Sequence, residues 1–440
     1  MQTAATPLTH GRIWRIAAPI ILSNVTVPLL GAVDTGVVGQ MGAAAPIGAV
    51  GLGAVVLATL YWLFGFLRMG TTGLAAQAHG AGDRQESAAV LGRALIVAGL
   101  AGAALVALQA PLFALALAIA PGGAEVEALA QQYLAIRIWG APATIALYAI
   151  NGWLIAAERS RAVLLLQVWM NGLNIILDLW FVLGLGWGVG GVATATLIAE
   201  ATGLALGLWL CREGLARIRR PRLLDRAALR RMASVNGDIM VRSVLLQGAF
   251  TSFLFLGAGQ GDVTLAANQV LMQFLEITAY ALDGFAFAAE TLVGQAVGAR
   301  NRAALDRAAR LSAQWGGAGA AALALGFALT GPAVIAVMTT APEVRAAAHT
   351  FLPWLIAAPL IGVASWILDG LFIGATATRE MRRMMIVSVA VYAAALVLLL
   401  PAFGNHGLWA ALMVLNVTRG VTLGRLWPRV AARVTARVTT

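Results

Sequence analysis

One carboxylate stands alone in the first apolar stretch of the chain. Asp34 closes the run Pro28-Leu-Leu-Gly-Ala-Val-Asp, and Pro19 lies upstream of it. A later apolar stretch carries Asn171, Asn174 and Asp178. Their spacing of i, i+3 and i+7 puts all three on one helix face, with Asn174 and Asp178 as direct i,i+4 neighbours. Acids inside apolar spans are costly, and they mark ion or substrate pathways. Two carboxylates sharing a site away from water repel each other, and a proton taken up by one relieves the repulsion. Asn and Thr side chains hydrogen-bond either form. Pro19 and Pro28 each remove an amide hydrogen from the helix, so it can bend there. An acid that takes up a proton, on a helix that can bend, has the parts needed to couple ion flow to a change of shape.

The elements that position these residues are membrane helices. Of 440 residues, 60% are hydrophobic and 11% charged, with mean hydropathy +0.84. A soluble domain is roughly one-quarter charged. Long apolar runs recur from end to end, which predicts an all-α polytopic membrane protein. Twelve segments are predicted, near 13–38, 46–78, 88–119, 128–157, 162–185, 189–211, 233–258, 263–297, 306–338, 346–376, 382–403 and 406–427. Junctions after the even segments hold Arg84, Arg159 and Arg161, the run from Arg212 to Arg231, Arg300 and Arg302, and Arg379, Arg382 and Arg383. Junctions after the odd segments hold Arg345 with Glu125, Glu127, Asp262 and Glu343. Arginine-rich loops stay cytoplasmic, so both termini are expected inside the inner membrane. The net charge of +11 is thereby explained by topology, and no nucleic acid is expected as a partner. Arg425, Arg429, Arg433 and Arg437 fall every fourth residue and predict a basic helix lying on the inner surface. Lysine is absent, and Cys211 is the single cysteine. No small-residue cleavage signal precedes Arg15, so the first apolar segment is read as a retained span.

The chain repeats itself at an offset of 218 positions. Gly73-Leu-Ala-Ala-Gln-Ala-His-Gly-Ala-Gly-Asp-Arg84 matches Thr291-Leu-Val-Gly-Gln-Ala-Val-Gly-Ala-Arg-Asn-Arg302. Asn151-Gly-Trp-Leu-Ile-Ala-Ala157 matches Asp369-Gly-Leu-Phe-Ile-Gly-Ala375 at the same offset. Six spans is an even number, so both halves enter the membrane in the same sense, a parallel repeat about an axis along the membrane normal. The expected layout is an N-lobe at 1–211, a basic cytoplasmic linker at 212–231 and a C-lobe at 232–440, two six-helix bundles.

Three stretches carry a family resemblance: Pro28-Leu-Leu-Gly-Ala-Val-Asp-Thr35, Thr278-Ala-Tyr-Ala-Leu-Asp-Gly-Phe-Ala286 and Asp369-Gly-Leu-Phe-Ile-Gly-Ala375. They resemble the multidrug and toxic compound extrusion (MATE) family, in its DNA-damage-inducible F branch. The resemblance implies a two-lobed exporter of cationic or lipophilic drugs, driven by inward protons or sodium ions. It also implies a cation site built from Asp34, Asn174, Asp178, Asn151 and Thr196. Protonation of Asp34 is expected to bend the first helix at Pro19 and Pro28.

Tyr133, Asn171, Glu276, Asp283 and Asp369 are the candidates for a substrate cavity. Glu276, Asp283 and Glu290 recur every seven residues, near one helix face. Asp238 and Arg242 are four apart, which predicts a local ion pair. No phosphate-binding loop, hydrolase elbow or zinc-protease motif is present, so no enzyme, metal or organic cofactor is expected. The coupling ion is read as a proton, with sodium open because the same oxygens suit it. A lipid-linked oligosaccharide flippase is the alternative within transport. It wants a strongly cationic cavity, whereas the spans here hold few arginines, chiefly Arg68, Arg137 and Arg242. The chain is expected to act as a monomer in the bilayer.

Overall fold

In a computed structural model of the chain, residues 8–120 and 122–436 are described. Twelve long helices follow one another. They are α1 His10–Gly39, α2 Ala44–Gly80, α3 Arg84–Ala107, α4 Ala124–Ala156, α5 Ser160–Gly184 and α6 Gly188–Leu210. Then come α7 Arg226–Ala258, α8 Asp262–Gly298, α9 Arg302–Met338, α10 Pro342–Gly374, α11 Thr378–Phe403 and α12 Asn405–Ala436. Among the described residues, α2 to α12 are long and apolar enough to cross a membrane. α1 is a helix of 30 residues. Large aliphatic side chains lie open on the helix surfaces, Leu100 at 68% and Leu329 at 73% exposure, as a lipid-facing exterior requires.

Two expectations about the helices change. The predicted third segment is two helices, α3 and a short helix Gln109–Ile119, broken at Leu108. Pro111 has no amide hydrogen to give the Ala107 carbonyl, which weakens the helix at this junction. The basic tail is no separate surface helix: Arg425, Arg429 and Arg433 extend α12 itself, and Arg433 pairs with Glu380 at 2.7 Å. Arg437 lies outside the described residues.

The chain forms two compact units. One, here the N-terminal lobe, comprises Leu22–Ala78 and Asp83–Met232; the other, the C-terminal lobe, comprises Met1–Ile21, His79–Gly82 and Ala233–Thr440. α1 is therefore assigned to the C-terminal lobe through Ile21 and to the N-terminal lobe from Leu22. His79–Gly82 belongs with the C-terminal lobe because Gly80 packs directly on the Gln295 backbone, where a β-carbon would not fit. The basic run after α6 is not a loose strap. Arg222 pairs with Asp83 at 3.0 Å, and the buried Arg93 of α3 pairs with Glu86 at 2.8 Å and donates to the Arg222 and Leu223 carbonyls at 2.5 and 3.2 Å.

Within each lobe the same devices recur 218 positions apart. Asp83 caps α3 by accepting from the Glu86 amide at 2.9 Å, and Asn301 caps α9 by accepting from Ala304 at 3.0 Å. Gly82 and Arg300 both take left-handed backbone, with φ of 72° and 54°. So do Glu158 and Thr376, with φ of 56° and 50°. Gly152 leaves no room for a β-carbon against the Arg68 carbonyl, and Gly370 leaves none against the Ala286 carbonyl. Gln77 accepts from Arg231 at 2.6 Å, and Gln295 accepts from Arg12 at 2.8 Å. The repeat is thus one of turns, caps and crossings as well as of letters.

The two glycine crossings make matched predictions. Gly152→Val and Gly370→Val should each cost ~1–3 kcal/mol, because the added carbons meet backbone that cannot rotate away. Thermal unfolding in detergent followed by circular dichroism checks this. A variant melting at the wild-type temperature would show that the crossing is looser than described.

Candidate functional site

The N-terminal lobe gathers the acids of α1 and α5. Asp178 is fully buried, and Asn174, one turn earlier, donates its amide to Asp178 Oδ2. The charges of the Asp34 carboxyl on α1 and the Asp178 carboxyl on α5 act on each other. Two carboxylates sharing a sheltered site repel, and a proton taken up by one relieves the repulsion. Asp34 Oδ1, Asn174 Oδ1 and Asp178 Oδ1 are sheltered from solvent and find no donor among the described residues. Such oxygens call for a proton or a hard cation, since leaving a buried acceptor unmet is costly. The helix itself is irregular here. Directly after Asp178, α5 widens into a π-helical turn, Leu179–Gly184, a distortion common at functional sites.

A buried ion pair stands next to the acids. Arg137 of α4 and Glu200 of α6 meet in two-pronged fashion, at 2.7 and 3.1 Å, both largely out of solvent. The Arg137 charge acts on both Asp34 and Asp178. Tyr61 of α2 donates its hydroxyl to the Arg137 carbonyl at 3.3 Å, and Tyr133 is buried on the same helix one turn before Arg137. Gly53 gives way to the Tyr133 ring, and Gly140 to the Glu200 carboxyl. α4 passes into a tight 3-10 stretch, Ile138–Gly140, immediately after Arg137. The sequence offered Arg137 and Glu200 as isolated charges 63 positions apart. Both lying in apolar spans, with opposite sign, was the one signal that could have joined them.

The remaining predicted residues are placed as follows. Asn171, 6% exposed, donates to the Thr26 hydroxyl at 2.8 Å and the Thr26 carbonyl at 3.2 Å, and accepts from Gln167 at 2.9 Å. It clamps α1 just ahead of Pro28. Asn151 keeps a sheltered Oδ1 with no donor, and the Thr196 hydroxyl is committed to the Val192 carbonyl at 3.0 Å. A direct bond therefore joins Asn174 to Asp178 and charge links Asp178 to Asp34, while among the described residues no hydrogen bond ties Asn151 or Thr196 to them. Pro19 and Pro28 lie inside α1, which runs unbroken.

The C-terminal lobe arranges its charges differently. Asp238 and Arg242 do not pair with each other, contrary to the spacing argument. Each takes a partner on another helix: Asp238 binds Arg382 at 2.6 Å and accepts from Thr378 at 3.1 Å, and Arg242 binds Asp369. Arg419 of α12 also binds Asp369, at 2.6 Å, and donates to Asn416 at 3.1 Å. Two guanidinium groups thus hold the buried Asp369, the repeat mate of Asn151, inside helix packing. Glu276 is exposed on α8 and Asp283 is half-buried, with Tyr280 feeling both charges. The positions 218 after Asp34 and Asn174 are Ser252 and Tyr392, whose hydroxyls meet at 3.0 Å. The two lobes hold equivalent places, one with an acid and an amide and one with two hydroxyls.

Comparison with known proteins places this arrangement. Residues 19–180 and 239–399 each match the family model described as MatE. The chain is 42% identical over 422 residues to the DNA damage-inducible protein F of Escherichia coli (strain K12), covering 95% of this chain and 92% of that one. It is 25% identical over 420 residues to Protein DETOXIFICATION 44, chloroplastic, of Arabidopsis thaliana, covering 92% and 80%. Among solved structures, a MOP superfamily transporter from Pyrococcus furiosus superposes with a TM-score of 0.86 at 21% identity, covering 98% of this chain and 97% of that one. A Vibrio cholerae MATE transporter in a bent form superposes with a TM-score of 0.85 at 19% identity, covering 97% and 98%. These two structures establish the fold.

The ion pair beside the acids makes a prediction of its own. Arg137→Met leaves Glu200 buried and unpaired, and should cost ~3–5 kcal/mol. Adding Glu200→Leu should recover most of that loss. Thermal unfolding of both variants in detergent tests it; a single variant as stable as the double would mean that Glu200 finds another partner.

Proposed function

Since the chain belongs to the MatE family of membrane transporters, and is no enzyme, we propose that it exports cationic or lipophilic small molecules in exchange for protons. The observation that carries this reading is the sheltered pair of like charges, Asp34 and Asp178, whose repulsion a single proton relieves. α5 acts on α1 on either side of Pro28: Asn171 bonds Thr26 before it, and Asp178 acts on Asp34 through charge after it. When one acid takes up a proton the repulsion ceases and the segment after Pro28 is free to move, while the bond before it stays closed. The freed segment lies beyond a proline whose missing amide hydrogen already weakens the helix. Proton movement is thereby converted into bending of α1. Alternating access follows when that bend changes which side of the membrane the substrate faces.

Asn151 and Thr196 complete the site in this reading, drawn in as the acids separate. Glu276 and Asp283 supply the negative charge that attracts a cationic substrate. Sodium is the second reading, favoured by the all-oxygen donor set of Asp34, Asn174 and Asp178. The flippase reading is disfavoured because Arg137, Arg242 and Arg419 are each bound to a carboxylate and offer no open cationic cavity. The arginine-rich junctions support an inner-membrane location with both termini cytoplasmic. We take the working unit to be one chain, with lobes at 1–211 and 232–440 joined by the segment 212–231.

Ethidium efflux from proteoliposomes under an imposed pH gradient is the test. Asp34→Asn and Asp178→Asn should each slow efflux by at least about tenfold, and Asn171→Ala should reduce it while leaving the fold intact. Wild-type rates in Asp34→Asn would sink the assignment. Wild-type efflux driven by a sodium gradient alone, at equal pH, would transfer the site to sodium.

A further inference from the structure

α9 carries a stripe from Arg307 to Leu323 that changes character halfway along. Arg307, Arg310, Leu311 and Gln314, with His10 at the start of α1, line a cavity of about 230 Å3. Trp315, Ala318, Ala322 and Leu323 continue the same face and line a second cavity of about 260 Å3. Steps of three and four residues keep these side chains on one side of the helix. The stripe is ~24 Å long at 1.5 Å per residue. Trp14 and Ile21 of α1 and Phe285 of α8 wall the second cavity. A hydrogen bond links the two linings: the Trp315 indole N–H of the second donates to His10 Nδ1 of the first at 3.1 Å. Trp14 packs edge-on against both Trp315 and Phe285, with ring centroids 5.1 and 5.3 Å apart. All of these residues belong to the C-terminal lobe.

The chemistry of the stripe matches one kind of molecule. Its basic end lies where α1 and α9 begin, among Arg12, Arg15, Arg302, Arg307 and Arg310. Arg307 is steadied by a bond from Nε to the Leu8 carbonyl at 2.5 Å, and Arg310 by one from Nε to the Asp306 carbonyl at 3.4 Å. Both arginines are exposed. No acid lines either cavity, and Asp306, beside the stripe on α9, is paired with Arg302 at 2.9 Å. Guanidinium groups of this kind bind phosphate strongly. Tryptophans mark the level where headgroups give way to hydrocarbon. Below them the groove is apolar and suited to an acyl chain. We propose that this groove holds one anionic phospholipid, its phosphate on Arg307 and Arg310 and its chain along Ala318 to Leu323. A zwitterionic headgroup fits less well, because its ammonium finds no carboxylate there. The proposal goes beyond the transport reading and requires only that the chain sit in a bilayer.

Native mass spectrometry of the full-length protein in neutral detergent, titrated with phosphatidylglycerol, tests it. Wild type should retain phosphatidylglycerol in preference to phosphatidylcholine. Arg307→Gln with Arg310→Gln should weaken retention roughly thirtyfold, as loss of two basic side chains near a membrane surface implies. Ala318→Trp, which fills the apolar half from an exposed position, should weaken it too. Melting temperatures equal to wild type in phosphatidylcholine would show that both variants fold. Unchanged retention in either variant overturns the proposal. Equal protection by inorganic phosphate reduces the site to a plain anion pocket and overturns it as well. Asp34→Asn should keep wild-type lipid retention whatever becomes of its transport, so the two readings fail separately.

Discussion

Charge inside a bilayer must be answered by charge, and this constraint organises the molecule. An unpaired ionised group away from water costs several kcal/mol, and removing one partner of a buried pair exposes that cost. Arg137 answers Glu200, Arg382 answers Asp238, and Arg242 with Arg419 answers Asp369. Each pair joins helices distant in sequence, so each also fixes packing within its lobe. Asp34 and Asp178 break the pattern. There like faces like, and a proton or a cation is what relieves the repulsion. The neighbouring matched pairs make this single mismatch meaningful, because they keep its surroundings rigid while its own state changes.

The repeat explains how one chain contains both behaviours. The scaffold is copied: caps at Asp83 and Asn301, left-handed turns at Glu158 and Thr376, glycine crossings at Gly152 and Gly370. The functional positions are not. Where the N-terminal lobe has Asp34 and Asn174, the C-terminal lobe has Ser252 and Tyr392, a hydroxyl pair that no change of pH in the working range will charge. Where the N-terminal lobe has Asn151, the C-terminal lobe has an aspartate fixed by two arginines. Backbone crossings tolerate no change at a glycine that meets a carbonyl, whereas a pocket tolerates exchange of its side chains. The two copies have kept the first and diverged in the second.

Much of this was legible in the sequence, and what was not has a common cause. Apolar runs and arginine placement revealed the helices, because burial in lipid is a property of each segment alone. The i,i+4 relation of Asn174 and Asp178 was legible because it lies within one helix. Partners on different helices were not. Arg137 and Glu200 meet across 63 positions, and nothing in either neighbourhood names the other. Spacing pointed Asp238 at Arg242, yet both preferred partners across a helix boundary, where geometry allows direct contact. Arg419 lies inside the final apolar segment, 50 positions from Asp369, and nothing in its neighbourhood names that partner. The break at Leu108 was masked by apolar residues on both sides of Pro111.

The guanidinium pairs have one more consequence. The chain contains no lysine, so every fixed cation in its spans is an arginine, a group that does not discharge under physiological conditions. No buried ammonium exists to surrender a hydrogen ion when an acid nearby changes state. Electrical events in the hydrocarbon layer are therefore one-sided: they originate at carboxyl groups, against a background of permanent positive poles. An acidity jump across the membrane has few places in this molecule to be felt.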